Sequence, residues 1–198
     1  MNVLKLNKNP GKYSCNVYHV RGDWNAINDV NTMIDTGTDA FVLDEVMSLS
    51  TGVGKRRVEQ IILTHEHFDH AGGRHKFIEK FKPRVIAFSP ISGVTDRAYD
   101  GMKVKIGDCD GIILHTPGHS HDSICIYVAS EKTLFSGDTL LNIKTAGGTY
   151  SQEYLEVLER LAALDIRIIY SGHDDPVTKN ALDMINHTLE NVRNSKII

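Results

Sequence analysis

Short apolar runs recur along the chain, and several of them end at a histidine or aspartate beside a glycine. Runs of this length that are rich in valine, isoleucine and leucine favour β-strands, whereas apolar residues three or four apart favour helices. The predicted strands cover 13–20, 31–35, 61–63, 84–88, 102–106, 110–116, 123–129, 132–135 and 166–170. The predicted helices cover 39–50, 57–60, 73–81, 90–99, 151–164 and 178–194.

Local signals support several of these elements. Asp39 is an expected N-cap, and Thr149 with Gln152 resembles a capping box before a helix. Residues 21–29 are rich in Gly, Asp and Asn, which predicts the turn of a hairpin. Strands and helices are mixed without repeats or low-complexity linkers. The pattern therefore predicts a layered protein of α and β structure with one domain over residues 1–198.

The densest polar cluster follows a short apolar run. Residues 64–70, with the sequence THEHFDH, hold three histidines and an aspartate, and two glycines follow. Alternate residues of an extended segment share a side, so His65 and His67 can converge on one point. Asp69 and His70 can reach a second point where the chain bends toward the next helix. Imidazole and carboxylate are ligands that borderline divalent ions prefer, so two such points suggest two ions.

Taken alone, this cluster could be a polar strand-to-helix loop whose aspartate caps the helix. Four further strand ends carry His or Asp beside Gly, which favours a single site built from loops at one edge of a sheet core. These ends are MIDTG at 33–37, HTPGH at 115–119, SGD at 136–138 and SGHDDP at 171–176.

Composition limits the function and the compartment. A net charge of −3 over 198 residues gives no basic footprint for nucleic acid. Three widely spaced cysteines without a CxxC motif favour a reducing compartment over a disulfide framework. The sequence shows no run of membrane-spanning length and no apolar signal-peptide core. We therefore expect a cytoplasmic protein that acts on a small molecule and binds neither nucleic acid nor membrane, with a homodimer left open.

The ordered motifs MIDTG, THEHFDH, TPGHS, SGDT and SGHDDP resemble the metallo-β-lactamase-fold superfamily, close to its hydroxyacylglutathione hydrolase (glyoxalase II)-like branch. The resemblance covers residues 12–176 and keeps the family's motif order. It implies an αββα sandwich, in which helices cover the outer faces of two central sheets. It also implies a hydrolase in which a hydroxide shared by two metal ions attacks a small thioester, ester or lactone.

The resemblance also assigns the metal ligands. Three histidines would hold the first ion, an aspartate and two histidines would hold the second, and another aspartate would bridge the two. In that order they are His65, His67 and His119, then Asp69, His70 and His173, then Asp138. Asp69 and Asp138 are also the expected catalytic carboxylates, and Asp35 is expected to orient a metal-bound histidine. We expect two divalent ions, zinc first, with iron or manganese as alternatives because these ligands suit several first-row metals.

Two further residues are candidates for substrate contact. His121 lies two residues after a ligand position, although a structural role is commoner for such a histidine. Lys144 follows the bridging aspartate in a segment with two adjacent glycines and could meet a substrate carboxylate or phosphate. A solvated loop lysine is the simpler interpretation of Lys144.

Two alternative functions remain. A sulfur dioxygenase of this superfamily holds one iron by two histidines and an aspartate, which here would be His65, His119 and Asp138. The second alternative is a non-catalytic metal or oxygen sensor, in which the compact metal site would only bind.

Overall fold

Two β-sheets face each other at the centre of the computed structural model, which describes residues 1–6 and 11–198. The strands of the first sheet lie side by side in the order of the chain. They are β1 (Asn2–Lys5), β2 (Tyr18–Arg21), β3 (Thr32–Ile34), β4 (Gln60–Ile62), β5 (Arg84–Ala87) and β6 (Asp96–Arg97). Strands β1 to β3 pair antiparallel, and the pairs from β3 to β6 are parallel.

The second sheet is mainly antiparallel. Its strands are β7 (Lys103–Ile106), β8 (Cys109–His115), β9 (Ile124–Val128), β10 (Thr133–Gly137) and β12 (Ile168–Ser171). Strands β7 to β10 pair antiparallel in chain order, and β12 lies parallel to β10 at the other edge. A separate parallel pair joins β11 (Thr149–Tyr150) to β13 (Lys196–Ile197).

Helices cover the outer faces of both sheets. They are α1 (Leu43–Ser48), α2 (Phe68–Ala71), α3 (Arg74–Phe81), α4 (Gln152–Ala162) and α5 (Ala181–Arg193). On the first sheet, Ile61 of β4 packs in one cluster with Val46 of α1 and Phe77 of α3. The second sheet packs its outer face against α4 and α5 through a separate cluster that includes Leu134, Leu158 and Ile185.

The inner faces of the two sheets form a third cluster. Ile62 follows Ile61 in β4 but joins Ile113 and Ile126 of the second sheet. Because successive side chains of a strand point to opposite faces, a strand buried on both sides becomes a continuous apolar run. The helix–sheet–sheet–helix order confirms the predicted αββα sandwich. One domain over residues 1–198 stays a prediction, and residues 7–10 of that range lie outside the described residues.

Many predicted elements are confirmed within a few residues. The helices at 73–81, 151–164 and 178–194 correspond to α3, α4 and α5, and the antiparallel run of three strands corresponds to β8, β9 and β10. The hairpin between β2 and β3 is also present.

Two helix predictions in the first half are wrong. The segment 57–60 forms no helix, because the N–H groups of Glu59 and Gln60 both donate to the Asn31 carbonyl and bring the chain into β4. The segment 90–99 also forms no helix, because backbone bonds from Thr95 to Val85 and from Ala98 to Ala87 place it beside β5.

The predicted helix caps also need correction. The helix expected from Asp39 begins only at Leu43, and Asp39 instead forms an ion pair with Lys12. At α4 the cap is Ser151, whose Oγ accepts a hydrogen bond from the Tyr154 N–H at 3.2 Å. The predicted capping box therefore starts two residues too early, because its threonine belongs to β11.

The predicted strand at 13–20 is regular only at its end, where β2 begins, and β1 was not predicted. Residues 13–17 instead run beside α2 and the loop after β12. The Cys15 N–H donates to the carbonyl of Asp69, and the Asn16 N–H donates to that of Gly172. This segment therefore ties together loops from both sheets.

Candidate metal centre

The seven candidate ligands meet at one edge of the paired sheets, where four strands end. The loop after β4 and the start of α2 supply four of them, and the loops after β8, β10 and β12 supply one each. In chain order they are His65, His67, Asp69 and His70, then His119, Asp138 and His173. Residues from distant parts of the chain therefore converge because the strands that precede them end at the same edge of the two packed sheets.

Three imidazoles form the first group. The Nε2 atom of His65 lies 3.0 Å from Nδ1 of His67, and Nε2 of His119 lies 3.0 Å from the same Nδ1. His65 is buried, whereas His67 and His119 are exposed. Three imidazole nitrogens directed at one point form a donor set suited to a borderline divalent ion such as zinc.

An aspartate and two histidines form the second group. Oδ2 of Asp69 lies 3.2 Å from Nε2 of His173 and 3.8 Å from Nε2 of His70. Asp69 and His70 are buried. The carboxylate brings negative charge to this group, which offsets the charge of a bound cation.

Asp138 lies between the two groups. Its Oδ2 is 3.6 Å from Nε2 of His119 in the first group and 3.3 Å from Nε2 of His173 in the second. Oδ2 is also 4.0 Å from Nε2 of His65, and Oδ1 is 3.2 Å from Nε2 of His70. One carboxylate thus contacts both groups, as a bridging ligand must.

Two buried atoms test whether a metal fits here. His70 Nε2 and Asp138 Oδ1 are shielded from solvent, and among the described residues neither has a well-aligned hydrogen-bond partner, although they lie 3.2 Å apart. A buried donor or acceptor without a partner destabilises a fold, and a bound ion would satisfy both of these atoms. The donor set and these two atoms therefore fit a pair of divalent ions.

A buried hydrogen-bond network fixes the second group from behind. Nδ1 of His70 lies 2.8 Å from Oδ2 of Asp35. Thr64 donates to the same carboxylate twice, from its N–H to Oδ1 and from its hydroxyl to Oδ2, both at 2.8 Å. The carboxylate only accepts, so Nδ1 of His70 carries a proton toward Asp35, and Nε2 faces the site as the atom that would bind a metal.

The two histidines that share this network differ in the direction of their pKa shifts. Burial, helped by the charge of His70, lowers the pKa of His65 to about 4, so His65 is neutral and able to bind a metal near pH 7. Burial opposes charge on His70 as well, but Asp35 and Asp138 outweigh it and raise the pKa of His70. Burial raises the pKa of the neighbouring Cys15 thiol to about 11, so this thiol stays protonated.

Two glycines make room for the ligands. A Cβ on Gly172 would lie 2.1 Å from Oδ1 of Asp138 and 2.8 Å from Cε1 of His70. A Cβ on Gly137, which has a φ of 50°, would lie 2.7 Å from Cβ of Thr64. Glycine beside the candidate ligands is evident in the sequence, but the requirement for these two glycines depends on contacts between distant loops.

A cavity of about 300 Å³ opens onto the ligands. Its polar side includes His119, Asp138 and His173, and its apolar side is formed by three residues after β10. These apolar residues are Leu140, Leu141 and Ile143.

The two candidate substrate residues lie beside this cavity rather than on its lining. Lys144 lines a neighbouring hollow between the segment after β10 and α5. His121 lines a hollow on the other side of the site, next to α4. His121 also approaches Glu66 and Asp122, and its carbonyl accepts a hydrogen bond from Nε2 of His115 at 2.8 Å.

Sequence reasoning missed the parts played by Thr64 and Asn16. Thr64 is fully buried, and its hydroxyl lies 3.2 Å from Nδ1 of both His65 and His70. Asn16 donates through its amide to the carbonyls of Ser171 and Asp174, on either side of His173. The threonine opens the THEHFDH motif and could have been noted there, whereas nothing in the sequence marks the asparagine.

The chain matches one family model and is similar in sequence to several known proteins. The family model described as "Metallo-beta-lactamase superfamily" matches residues 10–173. The hydroxyacylglutathione hydrolase of Nitrobacter hamburgensis is 37% identical over 121 residues, which cover 58% of this chain and 48% of the relative. The atrochrysone carboxyl ACP thioesterase of Aspergillus fumigatus is 29% identical over 146 residues, which cover 71% of this chain and 46% of the relative. The chain thus spans about half the length of these curated relatives.

Solved structures share the fold. TTHA1623 in a di-iron-bound form superposes with a TM-score of 0.71 at 22% identity, covering 93% of this chain and 98% of that one. At this level of identity the likeness concerns the fold alone. In the part of the chain that the structure describes, no helix is long and apolar enough to span a membrane.

Proposed function

Since the chain belongs to the metallo-beta-lactamase superfamily, we propose that it is a hydrolase that holds two divalent metal ions and cleaves small thioesters. The observation that carries the proposal is the position of Asp138, whose carboxylate contacts histidines of both ligand groups. A carboxylate within reach of two separate ligand groups suits a two-metal centre, whereas a one-metal centre has no use for the second group.

The ligand roles in this proposal follow the two groups. His65, His67 and His119 would hold one ion, and Asp69, His70 and His173 would hold the other, with Asp138 available to both. Divalent ions held there would lower the pKa of a bound water toward neutrality and polarise a substrate carbonyl. Zinc is the proposed metal because three imidazoles suit its tetrahedral preference, and iron or manganese would accept the same ligands.

The chain's own residues supply orientation and charge. Asp35 and Thr64 hold His70 in one tautomer, so that Nε2 faces the site. Burial alone would raise the pKa of Asp138, but the adjacent imidazoles of His173 and His70 outweigh it and hold the pKa well below its usual value. Asp138 therefore stays a carboxylate near neutral pH and is available as a ligand.

The substrate class is proposed from the curated relatives, whose names describe a hydroxyacylglutathione hydrolase and an acyl-carrier-protein thioesterase. Both names describe the cleavage of a thioester. Esters and lactones present the same carbonyl chemistry and belong in the same test. The cavity beside Asp138 admits a small acyl group, since its volume is about 300 Å³.

The one-iron dioxygenase alternative would use His65, His119 and Asp138 alone. It leaves Asp69 and the buried Nε2 of His70 without a stated role, although both lie within 4 Å of the other donors. This observation favours the two-metal hydrolase. The non-catalytic sensor is favoured by no particular contact of the site.

The test is a hydrolysis panel with zinc-loaded protein. It contains a hydroxyacyl-glutathione thioester, S-acetyl-N-acetylcysteamine, an aryl ester and a γ-lactone, and thiol release reports thioester cleavage. We expect thioester cleavage that a chelator abolishes and added zinc restores. Failure of fully metallated protein on every compound would contradict the proposal, and oxygen uptake by iron-loaded protein with glutathione persulfide would favour the dioxygenase instead.

A further inference from the structure

The segment 139–148 forms the apolar side of the cavity without belonging to a helix or strand. Leu140 is 54% exposed, Leu141 is buried, and Ile143 packs against the cluster beneath α4 and α5. An apolar wall beside a metal centre can contact a substrate only if its backbone is held in place. Such backbone needs partners outside a regular ladder, because its polar groups must still be satisfied.

Thr188 of α5 supplies two of these partners. Its hydroxyl accepts a hydrogen bond from the Ile143 N–H at 3.0 Å and donates one to the Leu141 carbonyl at 2.7 Å. The side chain is fully buried, so water does not replace either bond. One hydroxyl thus fixes the backbone on both sides of residue 142.

Two further side chains complete the support. Nδ2 of Asn191, one helical turn after Thr188, donates to the Ile143 carbonyl at 2.8 Å. The hydroxyl of Tyr154 in α4 donates to the Leu140 carbonyl. The wall is therefore positioned by side chains from the two helices of the second half rather than by a sheet.

We propose that Thr188, with Asn191, is a positioning residue that holds Leu140, Leu141 and Ile143 as a binding wall for an uncharged, apolar acyl chain of the substrate. The inference rests on the proposed hydrolase function and specifies its substrate. The apolar side chains of this wall favour an uncharged chain, and among the described residues that line the cavity no lysine or arginine would pair with an anionic one. The carbonyl of the substrate lies at the ligand side of the cavity, and the chain extends along the apolar side.

The test compares acyl chain lengths in matched variants. Thr188→Val removes the hydroxyl and keeps the shape, Thr188→Ser keeps the hydroxyl, and Thr178→Val makes the same change at an exposed threonine outside the wall. The substrates are the S-acetyl and S-hexanoyl thioesters of N-acetylcysteamine, and metal content is measured for each variant.

We expect Thr188→Val to raise KM for the hexanoyl substrate about tenfold, the scale of one lost methylene contact, while KM for the acetyl substrate and metal content stay unchanged. Thr188→Ser and Thr178→Val should match the wild type. Asn191→Ala, at a half-buried position, should shift KM in the same direction and decides the matter if Thr188→Val does not fold. An unchanged ratio of hexanoyl to acetyl KM, or equal effects of Thr188→Val and Thr188→Ser, would overturn the proposal.

A binding measurement separates this inference from the proposed function. Hexanamide, which is uncharged and resists hydrolysis, is titrated into methyl-labelled wild-type protein and followed by NMR. Chemical-shift changes at the methyl groups of Leu140, Leu141 and Ile143 support the wall if they are smaller in Thr188→Val, even if no thioester is cleaved. No shift at these methyl groups refutes the wall, whatever the protein hydrolyses.

Discussion

Oδ2 of Asp35 lies 2.8 Å from Nδ1 of His70, and both side chains are buried. Asp35 adopts a φ of 60°, a conformation that aspartate and asparagine tolerate better than most residues. The position therefore needs a short side chain for its backbone and a carboxylate for its partner. This contact ties the end of β3 to the second ligand group.

Asp35→Asn is predicted to weaken metal retention without unfolding the protein. Asparagine keeps the backbone conformation but loses the charge that fixes the His70 tautomer, and removing such a partner typically costs about 10- to 100-fold in metal affinity. Competition with a chromophoric chelator measures the effect. Asp96→Asn, which removes the charge of a surface carboxylate that pairs with Arg84, is the control. Equal affinity in the two variants would show that Asp35 does not support the site.

Gly172→Ala is predicted to disrupt the site sterically. The added methyl group would lie 2.1 Å from Oδ1 of Asp138, so either the carboxylate or the strand end must move. Overpacking of this kind costs about 1 to 3 kcal/mol, and the displaced carboxylate should lower the metal content. Thermal unfolding and elemental analysis of the same preparation measure both effects.

Gly54→Ala is the matched control for this glycine. Gly54 has a φ of 76°, and a Cβ there would meet open space. The strain of a left-handed alanine should cost about 1 kcal/mol of stability and leave metal content unchanged. If Gly172→Ala behaved in the same way as Gly54→Ala, the close approach to Asp138 would have no consequence for the site.

Asp138→Ala is predicted to abolish hydrolysis and reduce metal retention while the fold remains. The carboxylate contacts both groups, so its loss should lower kcat/KM by more than about 100-fold, beyond the usual effect of removing an indirect partner. Circular dichroism checks the fold, and Asp165→Ala removes an exposed carboxylate as a control. Full turnover by Asp138→Ala would exclude a bridging role.

His19 gives a pH dependence that is independent of the site. Its Nε2 donates to the Arg57 carbonyl at 2.7 Å, and burial lowers the pKa of His19 from its ordinary value of 6.5. The unfolded chain therefore binds this proton at a higher pH than the folded chain, so stability is lost as pH falls below about 6.5.

Urea unfolding of metal-free protein at about pH 7.5 and pH 5.5 tests this linkage. His19→Gln keeps a donor for the Arg57 carbonyl but does not titrate, so it should lose less stability across the interval than the wild type. The same loss of stability in both proteins would show that His19 does not contribute to this pH dependence.

The clustering of the candidate ligands was predictable because each lies within a short motif at the end of an apolar strand, and the family resemblance assigned their roles. His65, His67, Asp69 and His70 are close together in the chain, and the fold had only to bring three more loops to them. A layered protein of α and β structure was predictable from the pattern, whereas the αββα order was implied by the family resemblance. Ile61 and Ile62 show the two buried faces that this order gives to β4.

The remainder depended on contacts that spacing along the chain does not encode. Gly172 leaves room for Asp138, which follows a different strand, and Thr188 of the last helix supports the backbone of the cavity wall. Residues 13–17 have the pattern of a strand, but their N–H groups bond to the loops that carry the ligands. The segment 90–99 was predicted to be a helix, but its backbone hydrogen bonds to β5 place it at the edge of the first sheet.

The most direct test of the two-metal centre is elemental analysis of untagged protein purified without added metal. We expect about two metal ions per chain, with zinc as the leading candidate, and a lower metal content in Asp138→Ala. About one iron per chain would support the dioxygenase instead. Protein that holds no metal, even after reconstitution with zinc, iron or manganese, would contradict the central claim that these seven side chains form a metal centre.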